Sequence, residues 1–268
     1  MPKTIAVSNQ KGGVGKTATA CNLAAFLGLR HRTLLVDLDP QGHCARTFGI
    51  DPTTLSPTVY DVLFKRAKAD KAHIPLRDQT HLLPSNKELA IGEVELRDTF
   101  RPVERLRDGL RPLKFDYIVI DCPPNLGLLT LNALVAAQTV LIPVSATLAY
   151  IAAQNVLEVL GKLKEDFEMS WDVRVLQTFY RQGVNESEAL REQLVVDFGE
   201  NVYDTRINLN TDISVAMSAG ETMIDNPRSS GYYDYKRLAD EVLDGNQAKA
   251  RKSVTGAPSS RRSVGASR

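Results

Sequence analysis

This chain is poor in cysteine, in aromatic residues and in unbroken apolar runs. Its 268 residues include three cysteines, Cys21, Cys44 and Cys122, and a single tryptophan. No two cysteines stand in a Cys-x-x-Cys spacing, so neither a zinc knuckle nor a cysteine-ligated cluster is expected. Cys21 and Cys122 lie in apolar stretches and read as core thiols, a usage that suits a reducing cytosol. No run of about 18 apolar residues is available to span a bilayer, and no targeting segment is expected ahead of the first strand. Acidic residues are missing after position 245, where Lys249, Arg251, Lys252, Arg261, Arg262 and Arg268 stand alone. The net charge of +1 thus divides into +6 on residues 246–268 and −5 on residues 1–245. That tail has almost no large apolar groups to offset its ordering entropy. It reads as a disordered segment, either an inert solubilising tail or a nucleic-acid-binding arm.

What is present in quantity is ordinary globular material, 43% hydrophobic and 24% charged. Residues 1–245 are long enough to bury the core of one α/β domain. The most informative stretch is Lys11-Gly12-Gly13-Val14-Gly15-Lys16-Thr17. It follows a strand-like apolar run at 4–8 and precedes a helix-like run at 18–29, the context a phosphate-binding loop requires. Glycines let the backbone approach an anion, and the N–H groups at the helix start, including that of Ala18, point at it. Lys16 can reach β- and γ-phosphates, and the Thr17 hydroxyl can ligate Mg²⁺. A phosphate loop working within one subunit has no need of the second lysine, Lys11.

Strands alternate with helices along the rest of the chain. Apolar, β-rich runs occur at 32–37, 81–84, 115–121, 139–144 and 173–179. Helical patterns occupy 87–106, 128–137, 149–164, 187–198 and 233–243. The alternation predicts a doubly wound, mostly parallel sheet flanked by helices, with ligands bound beyond the carboxyl ends of the strands. Two acidic clusters begin at such ends. Asp37-Leu38-Asp39-Pro40-Gln41-Gly42 follows the second strand, and Asp121-Cys122-Pro123-Pro124 follows the FDYIVI strand. An apolar strand ending in Asp is the Walker B pattern, which makes Asp121 a carboxylate for Mg²⁺. Asp39, two residues beyond its strand, is placed to enter the cleft and orient a water near the metal. Asp37 is expected to brace the metal shell or the loop. The metal set expected is therefore Thr17, Asp39 and Asp121.

KGGVGKT, DLDPQG and the strand ending in DCPP together resemble the ParA family of deviant-Walker partition ATPases, within the wider group of P-loop NTPases. PTVYDVL at 57–63, LPSNKELA at 83–90, Ser218-Ala219-Gly220 and the stretch 230–239 extend the likeness over roughly residues 1–245. The resemblance implies ATP and Mg²⁺ as cofactors, with Lys16 needed for binding and Asp39 for hydrolysis. It implies a homodimer that forms on ATP binding, with Lys11 reaching the partner subunit's phosphates. It also implies a cytoplasmic, nucleoid-associated protein that binds DNA without sequence preference and answers to a ParB-like partner, with no membrane. Asn210 keeps the Asn of the family's Pro-Arg-Asn segment and is the candidate for a contact to the base.

The sequence departs from the family pattern in several places. Position 18 is Ala where a hydroxyl is usual, and His43 replaces an Asn after the DPQG turn. His43 reads as a loop surface group. The C-terminal helices carry Leu194-Val195-Val196-Asp197 and Thr211-Asp212-Ile213 where relatives place arginines. Basic candidates for DNA contact in the folded part are Arg174, Arg181, Arg191, Arg206, Arg228, Lys236 and Arg237. Two other readings share the ATPase core. A MinD-like membrane ATPase needs an amphipathic terminal helix, and the tail has no apolar stripe. A ParA-like protein that positions a protein cargo fits the same motifs as one that moves plasmid or chromosome DNA.

Overall fold

The computed structural model describes the backbone of residues 2–255 and the side chains of residues 2–245. Its strands are β1 (Lys3–Val7), β2 (Thr33–Asp37), β3 (Ile74–Pro75), β4 (Thr80–Leu83), β5 (Tyr117–Asp121), β6 (Thr139–Val144), β7 (Asp172–Tyr180) and β8 (Val202–Asn208). The helices are α1 (Lys16–Gly28), α2 (His43–Thr47), α3 (Val59–Leu63), α4 (Ala69–Ala72), α5 (Glu88–Glu95) and α6 (Arg105–Leu110), followed by α7 (Leu128–Ala136), α8 (Thr147–Phe167), α9 (Asn185–Phe198), α10 (Thr211–Ser218) and α11 (Ser230–Thr255). The sheet runs β3-β4-β2-β5-β1-β6-β7-β8. Every pairing is parallel except the short edge pair β3–β4. The chain places β5 on one side of β1 and then crosses to β6 on the other. That reversal opens a crevice above β1, the usual ligand position in such sheets.

Both faces of the sheet are covered, which is why its strands read as continuous apolar runs. Alternate residues of each strand serve opposite cores. Ala6, Leu34, Val36, Ile118 and Ile120 pack with α3 to α9. Ile5, Val7, Leu35 and Val119 pack with α1, α2, α10 and α11. Helix α1 is buried along almost its whole length.

The expected strands and helices are found with ends displaced by a few residues and with one break; strands β3 and β8 and the short helices α2, α3, α4 and α10 were not anticipated. The single helix expected over 87–106 is divided. It stops at Glu95, passes through a 3₁₀ turn at Leu96–Asp98, and resumes at Arg105. Arg101 sits at φ 53 and is followed by Pro102. A left-handed residue and a residue without an N–H cannot both sit inside an α-helix. The buried Glu104 pairs with both Arg101 and Arg107 and fixes the bend. Edge strands β3 and β8 escape the sequence pattern because β3 has two residues and β8 mixes Asp, Thr, Arg and Asn among its apolar positions. Helix α11 runs ten residues past Gly245, to Thr255. The expectation of disorder for 246–268 otherwise falls on side chains and a terminus outside the described residues.

One packed cluster carries a pH dependence. The rings of His73, His81 and Phe115 meet edge to face, with centroids 4.9–5.4 Å apart. The Arg32 guanidinium lies 5.2 Å from the Phe115 ring centroid. Burial lowers the pKa of both histidines, and the Arg32 charge lowers both further, against a raising effect of Asp70 on His73. Both Nδ1 atoms are buried without a partner. A lowered native pKa means that the unfolded chain takes up protons first. Stability is then complete above the ordinary histidine value of 6.5 and falls as pH drops through and below it. Changing both histidines to Phe should flatten the urea midpoint between about pH 7.5 and 5.5, relative to the parent's decline. Parallel declines in the two proteins would remove this cluster as the cause.

Candidate functional site

The loop at 9–17 leaves the carboxyl end of β1 and turns into α1. Gly13 and Gly15 lie at φ 73 and 86, where a side chain would strain the backbone. Gly15 is the N-cap of α1, no side chain caps that terminus, and its first turn holds no acidic residue. Its free N–H groups, Ala18 on the first turn among their neighbours, therefore face the crevice with their positive end outward. Gly12 and Gly13 are exposed, and Val14 is buried beneath the loop. The loop is pinned from two sides. Thr178 Oγ1 at the end of β7 donates to the Val14 carbonyl at 2.9 Å. Asn9, fully buried, donates to the carbonyls of Pro143 and Ala149 at 2.8 and 3.1 Å and accepts from the Lys11 N–H at 2.9 Å.

The two lysines of the loop differ in kind. Lys16 is buried, and its ammonium donates to the Lys11 carbonyl at 3.1 Å across the mouth of the loop. Burial lowers its pKa, opposed by the nearby Asp121, Cys122 and Asp39. An ammonium held this way is positioned for phosphate oxygens and lacks a carboxylate partner to give up. Lys11 is exposed, and among the described residues its ammonium has no partner.

Asp37 and Asp121 stand side by side at the ends of β2 and β5. Asp121 accepts from the Thr17 hydroxyl at 2.7 Å through Oδ2, while its Oδ1 is buried with no partner. Burial pushes its pKa up to about 7, against the lowering effects of Thr17 and Lys16. An orphaned carboxylate oxygen beside a hydroxyl, within the field of phosphate-binding groups, suits a hard divalent cation that keeps waters in its shell. Thr17 and Asp121 would hold Mg²⁺ here. Asp39 is only half buried. Its Oδ1 accepts from the Gln41 N–H at 2.9 Å, and its charge reaches both Lys16 and Asp121. Asp37 braces the turn, accepting from the N–H groups of Asp39 and Cys44 at 2.9 and 3.0 Å.

Asn210 lies at the end of β8 with its polar atoms already engaged. It caps α10 through a bond from the Asp212 N–H at 2.8 Å, and its amide donates to Ser229 and Ser230. His43 is exposed at the start of α2. The contribution of Asn9 was not anticipated, although its place directly before the loop was visible. Most of the candidate DNA-binding cations are tied internally. Arg174 pairs with Asp172, Arg191 donates to the Tyr203 carbonyl, and Arg206 stacks on Tyr180 at 4.6 Å. Lys236 and Arg237 pair with Asp240 and Asp234. Arg181 and Arg228 have no such partner among the described residues.

A strand–glycine loop–helix unit with Lys16, Thr17 and a strand-end Asp121 defines a P-loop nucleoside triphosphatase, and Lys11 makes its Walker A motif the deviant form. Comparison with known proteins narrows this. A family model described as an AAA domain matches residues 2–173. The chain is 38% identical to the sporulation initiation inhibitor protein Soj of Bacillus subtilis, over 90% of this chain and 98% of that protein. It is 35% identical to the chromosome partitioning protein ParA of Caulobacter vibrioides, over 92% and 97%. The chain belongs to the ParA/Soj family of partitioning ATPases. Among solved structures it is similar to cobyrinic acid a,c-diamide synthase of Mycobacterium smegmatis with bound ATP analogue and magnesium, at 31% identity and a TM-score of 0.80, covering 93% of this chain and 97% of that one. No helix among the described residues is long and apolar enough to cross a membrane.

Proposed function

We propose that this chain is the ATP-driven component of a DNA-partition system, working as a dimer that encloses two nucleotides. It is an ATPase whose cofactors are ATP and Mg²⁺. Lys16 and the N–H groups of α1 bind the phosphates, Thr17 and Asp121 hold the cation, and Asp39 orients the attacking water. In-line transfer to water asks the protein mainly for positioning and for positive charge around the terminal phosphate. The enclosed dimer rests on one observation, the exposed and unpartnered ammonium of Lys11 at the head of a loop whose own phosphate contact is Lys16. A second copy would place that charge against the first copy's terminal phosphate, where negative charge grows during hydrolysis. The exposed Leu148 and Ile151 support the same face. They lie on α8 beside the loop, which is tied to that helix through Asn9 and through Asn155 donating to Gln10.

Lys11→Ala should bind ATP with unchanged affinity yet remain monomeric in sedimentation with ATP and Mg²⁺, whereas the parent dimerises. A Lys11→Ala protein that dimerises and hydrolyses normally would end the sandwich proposal.

DNA binding without sequence preference, and a ParB-like partner that stimulates turnover, complete the proposal. Of the candidates in the folded part, Arg181 and Arg228, together with the six basic residues of 246–268, are the contacts proposed. Six phosphate contacts from the tail would add about −5 to the slope of log K against log salt. Changing those six residues to Gln should weaken duplex binding by ATP-loaded protein and flatten that slope, with ATP affinity intact. Superimposable titrations at several salt concentrations would leave Arg181 and Arg228 as the DNA contacts.

A further inference from the structure

Phe179 is a bulky residue in a conformation that suits glycine. It lies near the end of β7 at φ 52, in the left-handed region that an aromatic residue seldom adopts. The pairing of β7 with β8 shifts register between Gln177 and Tyr180, and Phe179 is 38% exposed while Thr178 and Tyr180 on either side are buried. Strain of this kind persists where the surroundings impose it, and ligand clamps are among the places it gathers. The ring stands against the phosphate loop, since a Cβ on Gly15 would lie 3.8 Å from Phe179 Cζ. The residue before it, Thr178, anchors the loop at the Val14 carbonyl. Leu209, just beyond β8, is 47% exposed and donates its N–H to the Tyr180 carbonyl at 2.9 Å. Two exposed apolar residues thus end the two neighbouring strands, and neither packs into the cores.

The sheet order gives a bound nucleotide its direction. Strands β5 and β2, ending in Asp121 and Asp37, lie on one side of β1, and β6, β7 and β8 lie on the other. The cation and the terminal phosphate belong to the acidic side, where Thr17 donates to Asp121. The ribose and base then extend from the loop toward β7 and β8. We propose that Phe179 and Leu209 are the apolar walls of the nucleobase pocket, and that the pocket holds a purine by its faces rather than by its edge. The neutral polar side chains at these strand ends are committed elsewhere. Asn208 donates to Asp234, Asn210 caps α10 and donates to Ser229 and Ser230, and the Tyr180 hydroxyl donates to Glu188. Stacking on an aromatic ring is tolerant of base identity, because every base has a π-face. Adenine and guanine offer it the same bicyclic face, and a pyrimidine offers less.

The pocket rests only on the loop's binding of a nucleoside triphosphate. A failure of dimerisation or of DNA binding would end the partition proposal and leave the pocket standing. Calorimetric titration of the full chain with ATP, GTP, CTP and tripolyphosphate, each with Mg²⁺, tests it. The parent should bind ATP and GTP within about tenfold of one another, and CTP more weakly than either. Phe179→Ala should lose about 5- to 100-fold in affinity for ATP and GTP, the range of one base–aromatic stack, with tripolyphosphate unchanged. Phe179→Gly suits the backbone angle, so its urea transition should match or exceed the parent's while ATP affinity falls alike. Phe179→Trp should keep ATP affinity, with emission quenched by ATP and not by tripolyphosphate. Equal losses for ATP and tripolyphosphate would make Phe179 a prop for the loop and overturn the proposal. Unchanged ATP affinity in Phe179→Ala would overturn it too, as would a preference for ATP over GTP beyond about tenfold, the mark of a site built on hydrogen bonds to the base edge.

Discussion

Lys16→Ala is expected to lower ATP affinity by hundreds- to thousands-fold. The buried ammonium is the main positive charge the loop presents to the terminal phosphates, and among the described residues it donates to the Lys11 carbonyl at 3.1 Å. Removing one partner of a buried charge pair costs on the order of 3–5 kcal/mol. Each 1.4 kcal/mol is about tenfold in affinity. The fold itself should be unharmed, since burial already disfavours the charged form of this lysine and its hydrogen bond goes to a carbonyl rather than to a carboxylate. Calorimetric titration with ATP and Mg²⁺ measures the loss, and a urea melt controls for folding. An affinity within threefold of the parent would remove Lys16 from the binding machinery.

The second large effect separates binding from chemistry. Asp39→Ala should retain ATP and slow phosphate release by roughly 100- to 10,000-fold, the span assigned to a positioned acid–base group. Asp39 is suited to that division of labour because it is half exposed and one carboxylate oxygen is not used in the turn. Its turn does not rest on it alone, because Asp37 holds the same segment through the N–H groups of Asp39 and Cys44. The variant should accumulate as an ATP-bound dimer, visible in sedimentation and in retained nucleotide after gel filtration. An unchanged phosphate-release rate would transfer the role elsewhere. Asp121 is a poorer candidate for the water, since it is fully buried and already engaged with Thr17.

Much of this was legible in the residue order. KGGVGKT between an apolar strand and a helix needs only neighbouring residues to define its geometry, and the glycines at φ 73 and 86 are local demands. The strand ending in Asp121 was equally plain, because five consecutive buried positions leave a recognisable run. The break in the helix expected over 87–106 was less visible. Pro102 marked it, yet the periodic leucines on either side concealed it, since both helices bury theirs in one core. Strand β8 was missed because an edge strand has a partner on one side only and tolerates polar residues that blur the pattern.

The sequence alone determined the P-loop class, the two loop lysines, the strand-end aspartates and the alternating architecture, because each is set by residues a few positions apart. Only the tertiary structure decided what those groups face. It put Asn9 against Pro143 and Ala149, more than a hundred residues away, and so fixed the loop. It consumed Arg174, Arg191, Arg206, Lys236 and Arg237 in internal contacts and engaged Asn210 in a helix cap. It also brought Cys44 to Asp37 and Asp121 behind the loop. The reason is physical. Strand order and helix packing are settled by which apolar faces bury together, and a side chain's partners follow from that packing rather than from its neighbours in the chain.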